Sequence, residues 1–525
     1  MKSPRAFFLI RRTPMSASFK QLLQNAIIDE CEKLIRRHQT YAHEVENVLR
    51  RIERRSGIKP SKTIHVPGYW SLDRGFDPYY VRSNAHVIAH AINKALRKRS
   101  YSPRPAVKYQ VPKKDGGERE VSVFQVADNA LSKLVFNDLN SKNAARFSAR
   151  SYAYRTDVSL HDSILFMSSE FSSDSRIYIA EFDFRKFFDS ISHNFLENLL
   201  RSKRFLITQR EMQIIRAFLS SPALNMENYI QQSDFKRTRG IPQGTSISLF
   251  LANAAGTLLD RKLEQLAVSF ARYADDTVIW STNYAELLQA VEQLEKTGEE
   301  LGVELNLAKS KGVSILERTN EKSEFKSKSA FDFVGYSLSR QCISMADKNV
   351  ESAKARIAYF IYSNLLETVK SETLVSERVA GNFDRDYLVM IMQIRRYLYG
   401  GMSEDQLRKY ISAATPKIHF KGLMSFYPIV NDESQLKHLD GWMLHTIHTT
   451  LKKRSAYLQS QGLPRPQPHG LSRGDLIACE STTTGGTRVD LRLPSFTRIS
   501  KLLQRAARIF GPNSIGNVQP PAYYS

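Results

Sequence analysis

Arg272-Tyr273-Ala274-Asp275-Asp276-Thr277-Val278-Ile279-Trp280 places two adjacent carboxylates between two apolar runs. Leu266, Ala267, Val268 and Phe270 lead in, and Val278, Ile279 and Trp280 lead out. Apolar β-branched and aromatic residues on both flanks predict two short strands with a tight turn between them. Asp275 and Asp276 then sit at the tip of a buried hairpin. Two like charges side by side repel and gain nothing from burial. The usual reason to hold them together is a hard cation with oxygen ligands, most often Mg²⁺. The four-residue string Tyr-x-Asp-Asp is weak alone, so its meaning depends on the parts around it.

Toward the N-terminus, Arg176-Ile177-Tyr178-Ile179-Ala180-Glu181-Phe182-Asp183 alternates as a strand and delivers Asp183 at its end. The aromatic turn Phe184-Arg185-Lys186-Phe187-Phe188-Asp189 follows, then a helix from about His193 to Leu200. An Asp at a strand end is often only a turn residue or helix cap; Asp275 offers this one a partner. Gly240-Ile241-Pro242-Gln243-Gly244-Thr245-Ser246 shapes a loop with close backbone approach. It opens a helix that buries Ile247, Phe250, Leu251, Ala254, Leu258 and Leu259. Such a start suits a nucleotide or a base pair, and equally a plain loop-to-helix junction. Tyr109–Pro112 and Arg119–Val123 read as strands around a Lys114-Asp115-Gly116-Gly117 turn. Lys113 and Arg119 flank that tip, where they can clamp a triphosphate. Taken alone, the segment is an exposed hairpin with solubilising charges.

The remaining chain frames these parts. Helical spacing predicts a first helix over 17–57, ended by Gly57 and Pro60, and another over 84–98 that ends in Arg97-Lys98-Arg99. Residues 284–301 read as an amphipathic helix, and 302–312 as a strand-like segment bearing Lys309. Phe331 to Leu338 reads as a short strand with a glycine bend. Residues 347–461 are mostly helical. Residues 462–486, with Pro464, Pro466, Pro468, Gly485 and Gly486, read as a linker. A basic helix over 495–510 and an extended tail close the chain. No internal repeat is present.

A net charge of +23 over 525 residues favours a polyanionic partner, nucleic acid first, over a merely basic surface. Cys31, Cys342 and Cys479 form neither a metal spacing nor a disulfide framework, which fits a reducing cytoplasm. The first twelve residues imitate a signal peptide, but the apolar run is short and arginines follow it. Met15 is an alternative start. No stretch approaches the length of a membrane span, so no membrane role is expected.

Taken in order, the motifs over about 65–340 resemble the reverse transcriptase family. Phe182-Asp183 through Phe188 is similar to the first catalytic motif of a polymerase palm, and Tyr273–Asp276 to its catalytic box. Ile241-Pro242-Gln243-Gly244 is similar to the motif that supports template and incoming nucleotide. Lys309 and Phe333-Val334-Gly335-Tyr336 match later palm motifs, the second a primer-grip hairpin. Lys113 to Arg119 resembles the fingers hairpin. The resemblance implies an α/β (α+β) right-hand fold: an antiparallel palm sheet with packed helices, then a helical thumb. The expected divisions are an N-terminal helical extension (1–60), fingers (61–175), palm (176–345), thumb (346–461), and a linker, basic helix and tail (462–525).

The same resemblance implies RNA-directed DNA synthesis by two-metal nucleotidyl transfer. Asp183, Asp275 and Asp276 are the catalytic carboxylates. They and Phe184 surround two Mg²⁺, with Mn²⁺ an alternative. Lys113, Arg119, Phe188, Gln243, Gly244 and Lys309 bind the nucleotide. Phe188, five residues after Asp183, stands where the family places an aromatic wall against the ribose 2′-position, so deoxynucleotides are the expected substrates. The Trp70–Arg82 opening and the basic helical C-terminus look most like bacterial defence-associated lineages. Expected partners are a structured non-coding RNA template, the cDNA product and further copies of the chain. Tyr523 and Tyr524 are candidate protein primers, or incidental tyrosines of a loose end. A group II intron, diversity-generating or retron-like enzyme and a non-catalytic RNA-binding scaffold are the alternatives.

Overall fold

The computed structural model describes residues 18–112, 117–172, 176–229, 236–306, 312–317, 326–400, 402–413 and 421–515. Lys113, Lys309, Tyr523 and Tyr524 lie outside the described residues.

The carboxylate hairpin forms as its flanks predict. Ser269–Tyr273 pairs antiparallel with Asp276–Ser281, Tyr273 faces Asp276, and Ala274 and Asp275 make the turn. The hairpin is one side of a five-stranded sheet. Across it run Ser327–Lys328, Gly312–Leu316, Ile177–Phe182, Asp276–Ser281 and Ser269–Tyr273. All neighbours are antiparallel except the first pair. This is the mixed α/β arrangement with an antiparallel sheet that the sequence implies.

Strand side chains alternate between faces, and here each face has its own core. Ile177, Ile179, Ala271, Val278, Trp280 and Leu316 join a core shared with the C-terminal helices. Ala180, Phe270 and Ile279 point the other way, into a core built with the N-terminal helices and the helix Ser246–Glu264. That helix is buried nearly all round, as expected of one packed between a sheet and other helices.

The first helix, Phe19–Ser56, is capped by Ser18 and stopped by left-handed Gly57. Leu23, Ile27, Cys31 and Ile35 bury its first half. No residue from 36 to 54 is fully buried. Arg55 is buried again, because it donates to the Ser363 carbonyl and to Asn364 Oδ1 in the helix Asp347–Leu365. One helix therefore touches both cores.

Two stretches differ from expectation. Phe331–Leu338 is not the one bent strand that its pattern suggests but a hairpin, as the resemblance implies. Ala330–Phe333 and Tyr336–Ser339 pair antiparallel around a Val334-Gly335 turn, and Ile343–Met345 adds a third strand. Residues 462–486 do not behave as a linker. Leu476 and Cys479 are buried with Leu491 and Leu493 in the C-terminal core, and Glu480–Thr482 pairs with Arg488–Asp490. His469 Nε2 lies 3.0 Å from Asp384, whose carboxylate also receives Arg454 at 2.7 Å. The basic helix Phe496–Phe510 belongs to the same core.

Candidate active site

The site begins where two strands end together. Phe182 pairs with Thr277. Continued by one residue, that register sets Asp183 across from Asp276, at the roughly 5 Å Cα spacing of antiparallel neighbours. Asp275 is the adjacent turn residue. Asp183 and Asp275 are half-buried and Asp276 is exposed. Three carboxylate-bearing residues thus lie at one end of the sheet.

The turn before Asp275 and Asp183 itself are held from behind. Ala274, just before Asp275, adopts φ +61°, a left-handed conformation costly for a residue with a Cβ. Its carbonyl accepts from Arg272 at 3.0 Å. The Arg272 guanidinium is 1% exposed. It forks onto Asp260 with two contacts of 2.6 Å, and it reaches Ser151 Oγ at 2.9 Å and Asn253 Oδ1 at 3.0 Å. A Cβ at Gly256 would run into this guanidinium, so the helix needs a glycine there. Asp183 is held through Asn306: its main-chain N–H donates to the Asp183 carbonyl at 2.8 Å, and its Nδ2 to Oδ2 at 3.2 Å. The ring of Phe184 is buried against Phe187, which leaves only its backbone for a metal.

The nucleotide-binding candidates meet beside this end. Phe188 is half-buried with its ring edge-on to Phe187, and its carbonyl accepts from Ile241 N–H at 2.6 Å. Gln243 donates through Nε2 to Asp189 at 3.1 Å, and its carbonyl accepts from Ser122 N–H at 2.6 Å. Gly244, at φ +122°, lies so close to the Ser122 carbonyl that a Cβ would collide with it. Ser122 belongs to Glu118–Val123, the strand that carries half-buried Arg119 across from Val111. Phe188, Gln243, Gly244 and the Arg119 strand are therefore one connected unit. Arg237 lies in the same seam. Burial pushes its guanidinium below the usual range, while Asp189 and Glu120 pull it back.

Arg272, Asn306 and Arg237 were not singled out in the sequence. The signal for Arg272 is its place in the opening stretch; Asp260, followed by Arg261, Lys262 and Glu264, reads as part of a charged helix end. Asn306 carries no such signal.

The donors at the sheet end are carboxylate and backbone oxygens, as a hard cation requires. No group of three or more His, Cys, Asp or Glu side chains is gathered as a ready metal cage among the described residues. The donor set fits an ion such as Mg²⁺, which keeps waters and takes substrate phosphates alongside one or two carboxylates. No helix among the described residues is long and apolar enough to cross a membrane.

Relatives share this part of the chain. A protein of the cob intron of Schizosaccharomyces pombe is 27% identical over 200 residues, 38% of this chain and 24% of that protein. Protein YkfC of Escherichia coli is 22% identical over 212 residues, 40% and 53% of the two chains. The group II intron-encoded protein LtrA of Lactococcus lactis is 25% identical over 205 residues, 39% and 32% of the two. This chain thus spans between a quarter and about half of these relatives. Residues 111–338 match the family described as "Reverse transcriptase (RNA-dependent DNA polymerase)". They contain the three carboxylates, Phe188, Gln243 and the Arg119 strand, and they form a domain of the reverse transcriptase family.

Proposed function

We propose that this chain copies an RNA template into cDNA from deoxynucleotides. The observation that carries this is the strand register that brings Asp183 to the Asp275-Asp276 turn, beside a seam joining Phe188, Gln243 and the Arg119 strand. Asp183, Asp275 and Asp276 hold two divalent ions, Mg²⁺ or Mn²⁺, with the Phe184 carbonyl as a further donor. When bound, these ions supply the charge that activates a 3′-hydroxyl and stabilises the leaving pyrophosphate. Arg119, with Lys113 and Lys309, neutralises the triphosphate. Gln243 and Gly244 seat the base pair, and Phe188 excludes a ribose 2′-hydroxyl. In this reading 61–175 are fingers, 176–345 palm and 346–461 thumb. Primer extension on an RNA template tests it: wild type extends with deoxynucleotides, and Asp275→Ala loses at least about a hundredfold in rate. Full biological activity in that variant, with extension lost, favours an RNA-binding scaffold.

The biological setting separates two readings. The Trp70–Arg82 opening and the basic helical C-terminus support a cytoplasmic antiviral enzyme that works on a structured non-coding RNA as an oligomer, with Tyr523 or Tyr524 as primer. The intron-encoded relatives support a mobile-element enzyme. Sequencing the RNA and DNA that co-purify with wild type and with Asp275→Ala decides: one recurrent structured RNA favours defence, intron RNA the other. Mass spectrometry finding no nucleotide on either tyrosine, with the double Phe variant active, overturns protein priming.

A further inference from the structure

Away from the carboxylates, three helix ends enclose a cavity of about 550 Å³. They are the start of Phe19–Ser56, the end of Ala85–Arg97 with Arg99 beyond it, and the start of Gln209–Ser220. Lys20, Arg97, Arg99 and Arg210 line it, with His90, and none of its described lining residues is Asp or Glu. None of Asp183, Asp275, Asp276, Phe188, Gln243 or Arg119 reaches it.

The cations are arranged rather than scattered. The Arg210 guanidinium carbon stacks 3.9 Å from the Phe19 ring centroid, and a guanidinium nitrogen donates to Asn93 Oδ1 at 2.9 Å. Those contacts fix its plane but leave its charge uncompensated. Burial, reinforced by neighbouring Arg97, pushes this guanidinium below its usual range. The buried Gln213 Nε2 has no hydrogen-bond partner in the structure. The 38-residue helix begins here with no acidic residue in its first turn, so the positive end of its dipole adds to the side-chain field; the 12-residue helix, capped by Thr208 and Glu211, adds little. Four permanent cations around one cavity call for more than one negative charge. A chain of phosphates supplies that, and a single carboxylate does not.

We infer that this cavity binds phosphate groups, supplied either by the backbone of single-stranded RNA or by a free polyphosphate. The site is separate from the polymerase site and does not depend on that assignment, because binding is read without catalysis. The test uses the full chain with Arg97→Gln, Arg99→Gln and Arg210→Gln combined, and two probes: a short unstructured RNA and inorganic tripolyphosphate. For an RNA site, affinity falls about tenfold, and the salt dependence becomes shallower by about two, as expected when three cations leave a single strand. Extension of saturating, pre-annealed primer–template stays unchanged. For a free-polyphosphate site, RNA binding is unchanged and calorimetric binding of tripolyphosphate is lost. If neither probe responds, the inference is overturned. Should the triple variant misfold by circular dichroism, Lys20→Gln with Arg99→Gln gives the same readout, with a slope change of about one.

Discussion

Arg272 is buried beneath the turn that presents Asp275, and its environment makes two demands. It neutralises Asp260, and it holds the Ala274 carbonyl in a strained turn. Arg272→Met leaves Asp260 alone in an apolar site, at a cost of about 3–5 kcal/mol, read as a lower urea midpoint. Adding Asp260→Leu recovers most of that stability, because the unpaired charge is gone. Primer extension stays impaired in the double variant, since the turn still lacks its donor. At Phe188, Ala removes the ring that the proposed function sets against the sugar. Discrimination against ribonucleotides then falls by about tenfold or more in competitive extension; unchanged discrimination refutes the sugar-filter role. These residues were not equally legible. Asp275 and Asp276 announce themselves because adjacent carboxylates inside apolar sequence need a reason. Asp183 is recognised through its strand and its partner. Asn306 acts through one backbone and one side-chain contact to Asp183, a relation that only the folded chain reveals.

The loop Gly240–Gly244 joins elements that lie far apart in sequence. It is bonded to the Phe188 turn on one side and to the strand of Arg119 on the other. Gly244→Ala puts a Cβ against the Ser122 carbonyl at a φ that favours glycine, at a cost of about 1–3 kcal/mol. The strand must back away and take Arg119 with it. KM for deoxynucleotide rises about tenfold, while kcat falls less; an unchanged KM in steady-state extension counts against the coupling. The glycines of this loop are visible in sequence, but the strand they accommodate is not. Helices were the easier elements: Tyr284–Leu301 and the helix begun by Ser495 follow from apolar spacing and caps. Residues 462–486 read as a linker because Pro and Gly report turns, while the few residues there that join the core, Leu471, Leu476 and Cys479, show no period.

In the whole molecule, the sheet is a wall shared by two cores, and buried polar groups tune its stability. Asp128 lies in the N-terminal core, accepting from the Tyr101 hydroxyl at 2.7 Å and the Arg104 N–H at 3.1 Å. Burial pushes its carboxyl up to about 6, against the pull of both donors. The folded state therefore favours the protonated acid. Its contribution is full below the unfolded value near 4, is lost as pH rises through 6, and changes no further above that. The span is at most about 3 kcal/mol. Asp128→Asn removes this one slope, so the difference in urea midpoint between variant and wild type should change only between about pH 4 and 6. A constant difference across that range rules out the perturbed carboxyl.

The first helix gives the molecule a lever. It has 38 residues, so it is about 57 Å long. One end forms part of the cationic cavity, and the other is clasped through Arg55 to the C-terminal core. Over that length, a tilt of one degree at the cavity displaces the far end by about 1 Å. A ligand that reseats Phe19 and Lys20 by a fraction of a turn therefore has mechanical access to helices that no part of it touches.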